Sequence, residues 1–160
     1  MKTRLIAFFS MVILSANTFS QTYELVKVFE DKSNQTHLSY WDEIENPNET
    51  VSRTFSLWGY QRYDESWIIA YEVEYFKGDA VEMLHFLEVV AEFSEKYKNK
   101  DKVVTTISGV KIKSIKHGPY KHTMVFDKEN KVCCYFSAKQ WANIRDKFVA
   151  FCLERNINVK

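Results

Sequence analysis

The sequence predicts a two-layer α+β domain in which a predominantly antiparallel sheet packs against two long amphipathic helices. Two observations support this fold class. Short segments rich in β-branched and aromatic residues are separated by turn residues, and two longer segments carry apolar side chains at helical spacing. With 160 residues, of which 46% are hydrophobic and 27% charged, the chain is long and apolar enough to form one compact core.

The first twenty residues have the pattern of an export signal. Lys2 and Arg4 precede an apolar run over residues 5–14, and the small residues Thr18 and Ser20 stand where a signal peptidase prefers them. The run is shorter than the ~20 residues that a membrane-spanning helix needs. We therefore expect removal of the signal peptide at 1–20, a single globular domain at 21–160, and export to the periplasm or beyond the cell, with no transmembrane segment after processing.

Three segments of the first half alternate in polarity or are rich in β-forming residues, which predicts strands. They are residues 23–29, 54–60 and 67–76, the last two joined by a hairpin turn at 61–66. The polar segment 31–50 contains Asn46-Pro47-Asn48 and is predicted to be a long loop. A short helix over 38–44 is the alternative.

Both helices are predicted to begin at a capping box, formed by Asp79 with Glu82 and by Ser137 with Gln140. Their apolar spacing ends near Lys98 and near Arg155. Between them, four further strands are predicted, at 103–107, 110–115, 121–126 and 131–136. Each helix follows a hairpin whose last strand ends in Tyr-Phe, so the order contains two ββα units. Internal duplication and the common hairpin-to-helix connection both remain open as explanations.

The three cysteines are interpreted as small apolar residues. Cys133 and Cys134 are neighbours in a predicted strand, so their side chains point to opposite faces and a bond between them is not expected. Cys152 is predicted to lie on the last helix, where a bridge to the strand stays open. The functional alternative is a catalytic Cys133 assisted by His122, which shares its predicted face, although no flanking motif supports it.

The motifs of common enzymes and metal sites do not occur in the sequence. With four glycines, the chain contains no phosphate-binding loop or nucleophile elbow, and it contains no HExxH or CxxC pattern. Glu82 and Glu88 diverge by roughly 120° around the first helix, so they cannot easily share one ion with His85. We predict no catalytic residue, no metal and no cofactor, and the sequence favours a protein that is not an enzyme.

Charge is distributed unevenly along the chain. Residues 21–95 contain sixteen acidic and five basic residues, whereas residues 96–122 contain eight lysines and one acid. This pattern predicts a cationic surface around the turn at Gly118-Pro119. Its candidate binding residues are Lys111, Lys113, Lys116, His117, Lys121 and His122. A solvated lysine-rich edge that discourages strand-to-strand aggregation is the alternative interpretation.

The sequence therefore favours a non-enzymatic binding or protein-interaction module with a cationic and aromatic surface. The expected partner is an anionic polymer, a lipid headgroup or an acidic protein. Nucleic acid is not expected, because the formal net charge of the whole chain is only +1. Two alternatives remain: a small secreted hydrolase without a recognisable motif, and an inhibitor or immunity-type protein that blocks an enzyme.

Overall fold

A computed structural model describes residues 26–32, 36–43, 52–62 and 70–159. The predicted signal peptide and most of the predicted turn at 61–66 lie outside the described residues. None of the helices in the described part is long and apolar enough to cross a membrane.

The elements follow the order ββββα twice, and each set of four strands forms one antiparallel sheet in sequence order. The first unit consists of β1 (Val26–Asp31), β2 (Thr36–Glu43), β3 (Ser52–Arg62), β4 (Ala70–Gly78) and α1 (Ala80–Tyr97). The second consists of β5 (Val104–Ile107), β6 (Val110–His117), β7 (Tyr120–Phe126), β8 (Cys133–Phe136) and α2 (Ala138–Glu154). The predicted α+β class with antiparallel sheets and two helices is confirmed. Four strands precede each helix, whereas the sequence predicted three before the first helix and four before the second.

The prediction of a loop over 31–50 is wrong for residues 36–43, which form β2. Leu38 and Tyr40 contribute to the core, while His37 and Ser39 point to the opposite face and are also buried. The period of two that marks a strand is therefore present in the sequence. Strand β2 was not predicted because every second residue in this alternation is of a polar type typical of loops.

Both capping boxes form as predicted. The backbone N–H of Glu82 donates to Oδ1 of Asp79 at 2.9 Å, and the Glu82 carboxylate accepts from the N–H of Asp79 at 3.0 Å. At α2, the N–H of Gln140 donates to Oγ of Ser137 at 3.4 Å, and Oε1 of Gln140 accepts from the N–H of Ser137 at 2.9 Å. Each box satisfies two backbone donors that have no partner inside the helix.

The two helices bury the same face relative to their caps. In each, the residues four, seven, eleven and fifteen positions after the N-cap are buried: Met83, Phe86, Val90 and Ser94 in α1, and Trp141, Ile144, Phe148 and Cys152 in α2. The helices are also in contact with each other. The helices of the two ββββα units therefore bury residues at the same positions.

Side chains of the second unit complete the core of the first. The ring of Phe148 on α2 meets Phe55 on β3 edge-on, with centroids 5.0 Å apart, and Phe151 lies 5.2 Å from Tyr40 on β2. Where the sheets adjoin, Phe29 on β1 meets Phe136 on β8 at 6.3 Å. Except for the partly buried Phe151, which packs against it, these rings belong to one continuous hydrophobic cluster, so the units share a core.

One glycine in the first sheet is required by close packing. The pairing of β3 with β4 shifts by one residue between Leu57 and Trp58, which leaves Tyr75 as the extra residue of a bulge. Tyr75 is buried, and a Cβ at Gly59 would lie 2.7 Å from both Cε2 and Oη of its ring. A side chain at Gly59 therefore cannot be accommodated without moving the tyrosine.

Candidate binding face of the second sheet

The second sheet has one covered face and one uncovered face. Alternate residues of β6, β7 and β8 point inward and are buried, among them Ile112, Val125 and Phe136. None of the intervening, outward-pointing residues of these strands is buried. We call this outward surface the open face, and it consists of Lys111, Lys113, Ile115, His117, Tyr120, His122, Met124, Phe126, Cys133 and Tyr135.

Tight turns fix the register that assembles the open face. Ser108 and Gly109 both have positive φ, at 49° and 79°, which is typical of a type I′ turn between β5 and β6. Gly118 has φ of 58° and is followed by Pro119, as a type II′ turn between β6 and β7 prefers. His117 is thereby paired with Tyr120, and successive partners follow along the ladder.

Two lysines stand side by side on the open face. Lys111 and Lys113 occupy alternate positions of β6, and the ammonium of Lys111 lies 4.9 Å from the centroid of the Phe126 ring. Neither lysine forms a salt bridge within the described part of the chain. The open face contains no acidic residue, so its charge is entirely positive.

An aromatic row runs beside these lysines. Tyr120 and His122 stack with ring centroids 6.3 Å apart, and His122 meets Tyr135 edge-on at 5.5 Å. Tyr120 is 64% exposed and Tyr135 is 47% exposed, which is unusual for such large rings. The row therefore presents ring surface to solvent on the same face as two lysines that have no salt bridge within the described part of the chain.

The six residues predicted as binding residues divide between two faces. Four of them, Lys111, Lys113, His117 and His122, lie on the open face. Lys116 and Lys121 are cross-strand partners on the reverse face, where the hairpin extends beyond the covered part of the sheet. There Nζ of Lys121 donates to Oδ1 of Asn99 at 2.6 Å, and the backbone N–H of Lys116 donates to Asp101 at 3.1 Å.

Sequence reasoning did not include the aromatic members of the open face among the candidate residues. The signal was present in part, because His122, Met124 and Phe126 occupy every second position of the strand predicted at 121–126, and Tyr120, one residue before it, continues this spacing. The same alternation places Tyr135 opposite Met124 across the ladder. The sequence of that strand alone does not show which of its two faces is covered, because this depends on where the helices pack.

The cysteines have the environments of structural residues. Cys133 points outward opposite Phe126, Cys134 points inward and is buried, and Cys152 is buried on α2; all three are free. Burial is the main reason that the pKa of the Cys133 thiol is raised, with the Asp127 carboxylate as the second cause. A nucleophilic cysteine requires a lowered pKa. Moreover, the partner of Cys133 is four residues from His122 along β7, which separates the two by roughly 13 Å.

A second group of polar residues lies on the first sheet. Oγ of Ser56 donates to a carboxylate oxygen of Glu74 at 3.2 Å. The buried hydroxyl of Ser39, the cross-strand partner of Ser56, has no hydrogen-bond partner among the described residues. Both serines are inaccessible to solvent. A serine nucleophile must be reached by its substrate, so this arrangement does not support the hydrolase alternative.

The acidic residues of α1 do not form a metal site. Glu82 caps the helix through Asp79, as described above, and the described part of the chain contains no cluster of three potential metal ligands. A comparison of the chain with protein-family models, with curated proteins and with solved structures gives no significant match. We therefore infer a function from the geometry of the open face.

Proposed function

We propose that this chain is an exported, non-enzymatic binding module and that its open face binds an acidic polysaccharide. The observation that carries the proposal is that Lys111 and Lys113, which have no anionic partner in the described part of the chain, share one sheet face with the exposed rings of Tyr120 and Tyr135. The pattern of residues 1–20 supports export, which would bring the module to extracellular or envelope polymers.

A polymer of uronic acids matches both chemistries of the open face. Sugar rings expose flat C–H surfaces that pack against aromatic rings, and tyrosine offers such a surface together with a polar tip. Uronate carboxylates accept charge-assisted hydrogen bonds from lysine. Neighbouring strands lie ~4.8 Å apart, so Lys113 on β6 and Tyr135 on β8 are about 10 Å apart, comparable with the length of a disaccharide.

The shape of the open face favours an extended polymer over a lipid bilayer. Lys111 and Lys113 are half-buried, with their aliphatic stems lying on the sheet. Ile115, Met124 and Phe126 are also half-buried, so they do not project as a membrane-inserting wedge. Because the two lysines and the exposed rings lie at different positions on one sheet face, they can contact successive residues of an extended anionic polymer.

Binding to alginate, a polymer of uronic acids, tests the proposal, with uncharged dextran as the control ligand. We expect the Lys111→Gln/Lys113→Gln variant to lose roughly tenfold in affinity, equivalent to about 1.4 kcal/mol. The Lys116→Gln/Lys121→Gln variant is the matched control, because it removes the same charge from the reverse face of the same hairpin. Affinity should also decrease between 0.1 M and 1 M salt, as the Debye length shortens from ~10 Å to ~3 Å.

Equal loss of affinity in the two double variants would mean that only net charge matters, and the open face would not be the site. Tyr135→Ala should weaken alginate binding as well, since ring stacking is part of the proposal. Binding to phosphatidylglycerol vesicles or polyglutamate without binding to alginate would contradict the polysaccharide assignment. The melting temperature of each lysine variant should remain nearly unchanged, because surface substitutions usually alter stability by no more than about 0.5 kcal/mol.

A further inference from the structure

Strand β5 forms an edge of the second sheet, and among the described strands it pairs only with β6. Its two-residue turn makes Ile107 and Val110 a hydrogen-bonded pair, and such pairs then recur at every second position. The carbonyl of Val103 accepts from the N–H of Ser114 at 2.8 Å, which is where this alternation predicts a hydrogen-bonded pair. The backbone N–H and C=O groups of Val104 and Thr106 consequently point away from β6, toward the free edge.

A groove of about 330 Å³ lies alongside this edge, between β5 and α1. Its apolar lining comes from Val89, Phe93 and Tyr97 on the helix and from Val103, Val104 and Ile107 at the strand. Val104 and Thr105 alternate between the faces of β5, and both line the groove, so it extends to the free edge. A strand added ~4.8 Å from β5 would place its inward side chains in this groove.

The end of the groove beside Tyr97 is positively charged. The ammonium groups of Lys96 and Lys100 lie 5.3 Å and 5.8 Å from the centroid of the Tyr97 ring. The segment 96–102 contains four lysines and one acid, Asp101, whose carboxylate accepts the backbone N–H of Lys116. Glu92 also lines the groove, one helical turn before Lys96, so the positive charge is concentrated at the Tyr97 end.

From these three features we infer that the β5 edge and its groove bind an extended acidic peptide segment of a partner protein by strand addition. Backbone hydrogen bonds to Val104 and Thr106 would hold the peptide in register. Apolar side chains at alternate positions would enter the groove, and an acidic side chain on the same side of the peptide, at its end beside Tyr97, would meet Lys96 and Lys100. This site adjoins the open face, because Val104 and Thr106 are the cross-strand partners of Lys113 and Lys111. The inference nevertheless does not depend on polysaccharide binding.

A blocked seven-residue peptide of sequence Glu-Glu-Val-Thr-Val-Glu-Glu is the probe, because its first and last Glu share the inward face with the two valines. The same peptide with Lys in place of Glu is the control. Backbone amide exchange of the full protein is measured with and without peptide. At a free peptide concentration ten times the Kd, exchange at Val104 and Thr106 should slow about tenfold, because binding protects in proportion to 1 + [L]/Kd. The amides of Thr105 and Ile107, already bonded to β6, should change far less.

Variants at the edge separate backbone pairing from charge. Thr106→Pro removes one outward N–H without breaking a bond to β6 and should weaken peptide binding at least tenfold, whereas Thr106→Val keeps the donor and should bind as the wild type does. Lys96→Gln/Lys100→Gln should weaken binding about tenfold, with Lys139→Gln on α2 as the matched control. If Thr106→Pro does not fold, the Lys96→Gln/Lys100→Gln and Lys139→Gln variants still test the inference.

The inference is overturned if the acidic peptide does not bind, or if it binds without protecting Val104 and Thr106. The first result is also what the alternative interpretation of the sequence predicts, in which the lysines only keep the edge from pairing. Equal affinity for the acidic and basic peptides would equally refute it, because the charge of the groove then selects nothing.

Discussion

Replacement of Phe148 by alanine should destabilise both ββββα units together. Phe148 belongs to α2, is inaccessible to solvent, and meets Phe55 of the first sheet edge-on at 5.0 Å and 86°. Truncation of a buried phenylalanine costs about 3–5 kcal/mol, and the ring pair accounts for ~0.5–1.5 kcal/mol of it. Domains are stable by only about 5–15 kcal/mol. The melting temperature should therefore fall by roughly 6–20 °C, at 2–4 °C per kcal/mol.

Urea unfolding followed by far-UV circular dichroism measures the loss of stability, and amide exchange in β3 and β7 reports on the two units separately. Exchange should accelerate equally in both strands, because they share one core. Phe126→Ala is the matched control: Phe126 is half-buried on the open face, and its truncation should cost about half as much. Two separate transitions, or faster exchange in only one sheet, would refute the shared core.

The helices could be predicted accurately because their signals are local. Apolar spacing and the capping box are contained within a few residues, and α1 was expected from Asp79 to about Lys98 and is observed as Ala80–Tyr97. Strand β2 could not be recognised in this way. Its period of two is present, but the alternating polar residues are also typical of a loop, and their burial results from tertiary packing that the local sequence does not show.

Only part of the candidate site could be predicted, because only part of its signal is local. Strand alternation correctly placed Lys111 and Lys113 on one face. The continuity of positive charge along the sequence then suggested that Lys116 and Lys121 extend this patch, but the pleat directs them to the reverse face, opposite each other. Lysines that are close in sequence need not share one face of the sheet, and the register of the hairpin decides which of them do.

Two further substitutions test the packing of the core. Gly59→Ala should cost about 1–3 kcal/mol in urea unfolding, because its Cβ would lie 2.7 Å from the Tyr75 ring; an unchanged midpoint would contradict this contact. The second test concerns Cys152, whose thiol pKa is raised by burial from 9.0 to about 11. The folded state therefore keeps a proton that the unfolded state releases, so stability is full below pH 9 and declines as the pH rises toward 11. Between pH 8 and 10.5 this thiol should cost about 2 kcal/mol, since each pKa unit corresponds to about 1.36 kcal/mol. Cys152→Ala should lack that part of the decline while retaining the part due to Cys133 and Cys134, whose thiol pKa values burial also raises. Parallel pH profiles of the two proteins would show that the Cys152 thiol does not contribute.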